Sequence, residues 1–351
     1  MRFKYEKYNL NRGFHKVKTR TAITLSAITL AVSGGGVMSL AAFGTSHADN
    51  STINFEAPAY TVGDISGQNG WNKTGSYDAA VVSNTYGYTS FGDQSLRISN
   101  STTSSSFGDQ TFAPALSEPA GEAGALDKDG NPVASTQPHF EAQFDVASTT
   151  QAEQPGMALS VSPDNGAGAR MSYLSLVDES DGIHVNFYDV EGTSNPANFV
   201  ETPDIAILSY DSPHTVKLAM DFVDGPSNDV VKVYVDGNMV HQGTSWENYY
   251  RYDPESNPGL VDVSRTVDTL LFHAGGTAVP ANAGHGYLFD NLSLMSGPIV
   301  PEVTRPTSKD DCRGSGWTSF SDPSFKNQGQ CVAYVNHHDG VGKDDARVRT
   351  Q

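Results

Sequence analysis

The side chains best suited to touch a ligand are four rings crowded into the stretch TSWENYYRY: Trp246, Tyr249, Tyr250 and Tyr252. Rings with polar neighbours suit sugars, whose C–H faces stack on a π system while their hydroxyls reach nearby Asn and Asp. A long loop also needs aromatic anchors of its own, so packing onto the core is the competing use of the same four rings. Two cysteines, Cys312 and Cys331, stand close together near the C-terminus. In an exported chain they are expected as a disulfide, and closing a loop of that length stabilises it by about 3 kcal/mol in the chain-entropy model. Free thiols or a metal pair are the alternative, and no second pair of ligands stands at metal spacing. The adjacent His337-His338-Asp339 reads as a solvated terminus.

Catalytic signatures are missing. There is no G-x-S-x-G elbow, no P-loop, no G-x-G-x-x-G after a strand and no H-E-x-x-H. The sequence therefore predicts no catalytic residues and a protein that is not an enzyme.

Net charge narrows the partners further. The 351 residues carry 22 Lys and Arg against 40 Asp and Glu, a formal charge of −18. Residues 1–20 are basic, an uncharged apolar run follows from Thr21 to Gly44, and Ser46-His47-Ala48 offers a small-residue cleavage pattern. Residues 1–48 thus read as a secretory signal peptide, with a retained membrane anchor as the alternative. Without them 15 basic and 39 acidic residues remain, a charge of −24. Such a chain repels phosphate, which excludes nucleic acid and anionic membranes as partners and predicts no membrane insertion after cleavage.

The elements that must position these residues are strands. In DVVKVYVDGNMVHQG, Val231, Val233 and Val235 fall on one face and Val230, Lys232 and Tyr234 on the other, and Asp236-Gly237 supplies a tight turn. This hairpin reads as the centre of the fold. HFEAQFDV (139–146), MALSVS (157–162), RMSYLSLV (170–177), IHVNFYDV (183–190), HTVKLAMDFV (214–223), VDTLLFH (267–273) and GYLFDNLSL (286–294) repeat its pattern, and Thr52–Glu56 reads as a first strand. Residues 115–137 read as a long polar loop, and the Ser-Trp-Tyr stretch from Thr244 as another. Many short strands and almost no helical period predict an all-β fold, a two-sheet antiparallel jelly-roll sandwich.

With INFE, VKVYVDG and GYLFDNLSL in hand, the region from about Ser51 to Ser296 resembles the concanavalin A-like, or laminin G-like, jelly rolls of secreted proteins. The tail, DCRGSGW followed by FKNQGQCVAYV, looks like a two-cysteine module that closes many exported bacterial proteins. The resemblance implies a structural Ca²⁺ shared by Glu56 on the first strand and Asp290 on the last, with backbone carbonyls and water completing 6–8 oxygens. Bonding of both carboxylates to backbone N–H groups is the alternative. Laminarinase-type relatives of this fold carry E-x-D-x-E on one strand. The nearest match here, Glu141 to Asp145, lacks the middle carboxylate, and its ends stand about 13 Å apart at ~3.4 Å per residue, beyond the ~9.5 Å limit for a catalytic pair.

The chain is thus expected to divide into a signal (1–48), a sandwich (49–297), a Pro-rich linker (298–310) and a two-cysteine module with a polar end (311–351). Its expected task is non-catalytic binding of an extracellular polysaccharide or surface glycan, at the cell surface or after secretion. A polysaccharide hydrolase or lyase, and a structural envelope protein without a small ligand, are the alternatives.

Overall fold

The computed structural model describes residues 49–338, apart from 105–107, 117–137, 165–167, 169, 194–195, 224–226, 253–266, 276, 300–304, 307 and 321–322. Residues 1–48, read above as a signal, most of the stretch read as a long polar loop and part of the one read as a linker lie outside the described residues, as does the chain after His338.

The first eight strands are β1 (Asp49–Ile53), β2 (Gly63–Asp64), β3 (Asn72–Thr74), β4 (Asp78–Ser83), β5 (Gln94–Ser99), β6 (Gln110–Phe112), β7 (His139–Ser148) and β8 (Ala158–Asp164). They are followed by β9 (Leu174–Glu179), β10 (Gly182–Glu191), β11 (Asn198–Leu208), β12 (His214–Asp221), β13 (Val230–Val235), β14 (Asn238–Gly243), β15 (Thr269–Ala274) and β16 (Tyr287–Gly297). One sheet runs β14-β13-β12-β7-β16-β5-β4-β2, with β1 also paired to β16, and the other runs β11-β10-β9-β8-β15-β6-β3. The pairings are antiparallel, so the fold is the expected all-β sandwich of two sheets.

Alternation decides what fills the space between the sheets. Phe140, Ala142, Phe144 and Val146 of β7 are fully buried, while Glu141, Gln143 and Asp145 between them are half-buried on the other face. Phe144, Phe289 of β16 and Phe272 of β15 meet edge to face with centroids 5.0–6.4 Å apart, which joins one sheet to the other through three rings. Trp71 also packs on Phe272 and donates its Nε1–H to the Tyr60 hydroxyl at 3.2 Å.

Several expectations need correcting. The hairpin β13–β14 forms as read, with Asp236 (φ 50°) and Gly237 (φ 78°) both left-handed in its turn, yet it lies at the edge of its sheet. The middle is β7 beside β16, a pairing of segments far apart in sequence. The first strand ends at Ile53, because Phe55 adopts φ 55° and turns the chain away. RMSYLSLV starts its strand only at Leu174. The aromatic stretch is not all loop: α1 (Glu247–Tyr252) is a short helix. In the tail, Cys312 and Cys331 are bonded, their Cα atoms 5.7 Å apart, and α2 (Gln328–His338) places Cys331 and Val335 against Trp317, Phe320 and Phe325.

If the three phenylalanines hold the sheets together, Phe144→Ala lowers unfolding free energy by about 3–5 kcal/mol. Urea titration measures it, and exposed Met239→Ala on β14 changes the same quantity by less than about 0.5 kcal/mol.

Candidate functional site

Three groups of side chains have chemistry to offer, and each is assembled by sheet register. The first is aromatic. On β10, Tyr188 faces outward from the seven-stranded sheet, opposite Glu201 of β11, and its hydroxyl donates to that carboxylate at 2.7 Å. Trp246 donates its Nε1–H to the Tyr188 carbonyl at 2.8 Å and lies parallel to Tyr173, centroids 5.7 Å apart at 11°. Phe199 of β11 meets Trp246 edge-on at 4.9 Å and Tyr249 at 5.5 Å. Tyr173, Tyr188, Trp246 and Tyr249 are half-buried and Phe199 is exposed, so the rings form one partly open patch.

The four rings singled out in the sequence divide between the two uses weighed for them. Trp246 and Tyr249 belong to the patch, and Tyr252 is half-buried at the end of α1. Tyr250 is buried, with its hydroxyl on the Arg170 carbonyl at 2.9 Å, and anchors α1. Tyr173, Tyr188 and Phe199 were not singled out. They stand on separate segments, and no local spacing marks them as neighbours.

The second group is the carboxylates of the β16 bulge. Register between β7 and β16 shifts after Asp290, where Asn291 takes φ 48° and adds one residue to β16. Before the bulge β16 pairs with β5, and after it with β1. Glu56 follows β1 into the gap between those two strands, where its Oε1 accepts the backbone N–H of Asp93 at 2.7 Å and of Gln94 at 3.2 Å. Asp290 is only 1% exposed and stands opposite Asp145 in register. Burial, together with the charges of Glu56 and Asp145, pushes its carboxyl up to about 8. Among the described residues no basic side chain pairs with Glu56, Asp145 or Asp290. Asp145 is held by the Thr215 hydroxyl at 2.6 Å and the Asn291 amide at 2.8 Å. Glu141, the other end of the sequence's carboxylate pair, is bonded to Lys217 at 3.3 Å.

The third group was not anticipated. Glu179, Asp181 and His184 bring three ligand atoms within 4.8 Å of one another, and among the described residues they alone do so as a threesome; they could hold a metal ion. Glu179 ends β9, Asp181 is in the two-residue turn and His184 is near the start of β10. Gly182 permits the turn at φ 150°, where a Cβ would stand 2.5 Å from the Leu208 carbonyl. The signal available in the sequence was E-x-D-x-x-H spanning a two-residue hairpin turn.

No family model matches the chain, and no curated protein matches it. Among solved structures it is similar to the endo-β-1,4-glucuronan lyase of the fungus Trichoderma reesei, at 14% identity over 68% of this chain and 93% of that one, TM-score 0.35. It is similar also to alginate lyase vAL-1 from Chlorella virus, at 12% identity over 70% and 98%, TM-score 0.38. The lectin UEA-II, complexed with galactose, matches at 10% identity over 71% and 98%, TM-score 0.33. At TM-scores below 0.5 none of these likenesses carries an argument about ligand or reaction.

The raised Asp290 carboxyl has a definite effect on stability. Below about pH 4 it is protonated whether the chain is folded or not; as pH rises toward 8 only the unfolded chain sheds the proton, so the folded state loses stability over that window. In chelator, Asp290→Asn is expected to lack this loss and to be more stable than the parent by roughly 1–3 kcal/mol at pH 8.5, with little difference at pH 4. Urea midpoints at the two pH values measure it, and equal slopes for both proteins refute it.

Proposed function

We propose that this is an exported, non-catalytic sandwich protein that binds an extracellular polysaccharide or surface glycan through the aromatic patch of the seven-stranded sheet. The observation that carries this reading is five rings, Tyr173, Tyr188, Phe199, Trp246 and Tyr249, partly open on one outer face and bordered by Glu201. Trp246 and Tyr249 also pack against the core, and the ring surface left open beside a polar rim is what a pyranose face stacks on. Residues 1–48 serve as the export signal under this reading. The disulfide fits an oxidising compartment, and among the described residues no helix is long and apolar enough to cross a membrane.

Glu141 and Asp145 favour a role without catalysis. They lie on the nine-stranded sheet, away from the rings, and are engaged by Lys217, Thr215 and Asn291. Ca²⁺ belongs to the proposal as a structural ion at Glu56 and Asp290. A buried carboxylate that feels the charges of Glu56 and Asp145, with no basic partner among the described residues, is relieved by a hard cation, which takes carboxylate oxygen as ligand. Among the described residues Asp145 does not join Glu56 and Asp290 as a threesome of close ligand atoms, so backbone carbonyls and water would supply the remaining ligands.

Binding is tested on a polysaccharide and glycan array with and without EDTA, beside assays for new reducing or unsaturated ends. Retention of the parent on at least one glycan is expected. Phe199→Ala, which removes an exposed ring, should weaken it about 2- to 10-fold, the range of ~0.5–1.5 kcal/mol for one aromatic contact. Absence of retention on every surface would favour the structural envelope role, and product formation would overturn the non-catalytic part. For the ion, Ca²⁺ at about 100 times its Kd should add ~2.7 kcal/mol and raise the melting temperature by roughly 5 °C. That shift should vanish in Glu56→Gln and Asp290→Asn, and an unchanged parent at millimolar Ca²⁺ removes the site.

A further inference from the structure

The turn between β9 and β10 carries chemistry that the glycan reading does not use. His184 is buried to nine-tenths of its side chain, while Glu179 and Asp181 beside it are well exposed. Its Nδ1 lies 2.6 Å from Asp204 Oδ1, and its Nε2 lies 2.8 Å from Asp181 Oδ1 and 3.9 Å from Glu179 Oε2. Two features make this more than a chance meeting of charges.

The first is the spacing. Ligands on a tetrahedral ion at ~2.0–2.2 Å stand roughly 3.4 Å apart, and the two Nε2 distances fall on either side of that value. Small rotations of two exposed carboxylates bring both into position, with no movement of the buried ring. The second is the supply of Asp204. Between Thr202 and Ala206, β11 carries two residues more than β10 does between Phe187 and Val185, and Asp204 in that bulge takes φ 54°. Its backbone N–H is held by the Asn186 side-chain oxygen at 2.9 Å. The bulge turns its carboxylate onto Nδ1, the partner that a metal-bound imidazole uses to fix its tautomer and present Nε2 to the ion.

We propose that Glu179, Asp181 and the Nε2 of His184 form a binding site for a divalent transition metal of the Zn²⁺ class, with Asp204 as the positioning residue. An imidazole nitrogen in the set selects against Ca²⁺ and Mg²⁺, which take oxygen. Three protein ligands leave a fourth position, and the exposure of both carboxylates opens it to solvent. The site is on the same outer face of β10 as Tyr188, four residues and about 13 Å along the strand. It does not depend on the glycan proposal, and the Zn²⁺ measurements contain no sugar.

The rival arrangement is a protonated imidazole donating to carboxylates on both sides, with no place for a metal. Titration of the full-length protein with Zn²⁺ at pH 7.5, read by calorimetry, and with Co²⁺, read by its visible d–d bands, separates the two. One equivalent is expected to bind with micromolar affinity. His184→Ala should weaken that binding at least 100-fold, and Asp204→Asn should weaken it about 10- to 100-fold while changing the Co²⁺ bands and leaving the metal-free melting temperature in place. His214→Ala, which removes an imidazole facing Asp236 elsewhere on the surface, should leave the equivalent intact. If His184→Ala does not fold, the double variant Glu179→Gln/Asp181→Asn alters only exposed side chains and should lose the same equivalent. Absence of binding by the parent at 1 mM Zn²⁺, or undiminished affinity in His184→Ala or in the double variant, overturns the site and leaves the imidazolium arrangement.

Discussion

The register of β16 against β7 is the constraint on which the other features rest. Phe289 faces inward to Phe144 and Phe272, and Asp290, the next residue, faces outward beside Asp145. A slip of one residue would exchange them, sending a ring to solvent and a carboxylate into the core. The bulge at Asn291 inserts its extra residue on the outer face, so Leu292 and Leu294 still turn inward and the alternation survives. The same bulge divides the flank of β16 between β5 and β1, and that division brings the chain after β1 back to Asp290.

Acidity alone says little about what a carboxylate does in this protein; the number of donors around it decides. Asp109 and Asp290 are both almost wholly buried. Burial would raise the Asp109 carboxyl, but bonds from Ser104, Thr103 and Ser76 outweigh it and hold the group below the usual carboxylate range. Asp290 has the Asn291 backbone N–H at 2.7 Å and two like charges nearby, so burial prevails. One carboxylate ties a loop together, and the other is a liability that a proton or a cation must relieve.

The outer face of the seven-stranded sheet carries both the aromatic patch and the imidazole with its carboxylates because β10 is long enough to present two outward side chains four residues apart. His184 lies near its start and Tyr188 four residues on, each pointing away from the core formed by Val185 and Phe187. Each is completed from β11, by Asp204 for the imidazole and by Glu201 and Phe199 for the rings. Among the described residues no strand pairs with the outer side of β11, so a bulge there disturbs no further neighbour.

Period-two alternation of apolar residues is a local property, so the sequence by itself determined that the chain is all-β, which residues of 139–146, 214–222 and 231–235 turn inward, and that Asp236-Gly237 makes a tight turn. The two cysteines could likewise be paired without coordinates, because no others compete for them. What alternation cannot convey is which strand lies beside which. Placement of the hairpin at an edge, the union of Trp246 with Tyr173, Tyr188 and Phe199, and the approach of Asp204 to His184 all depend on pairings between distant segments and on bulges that shift a strand by one or two residues. Local patterning carries no information about such pairings, because their free energy comes from surfaces that exist only after the two sheets have closed on each other.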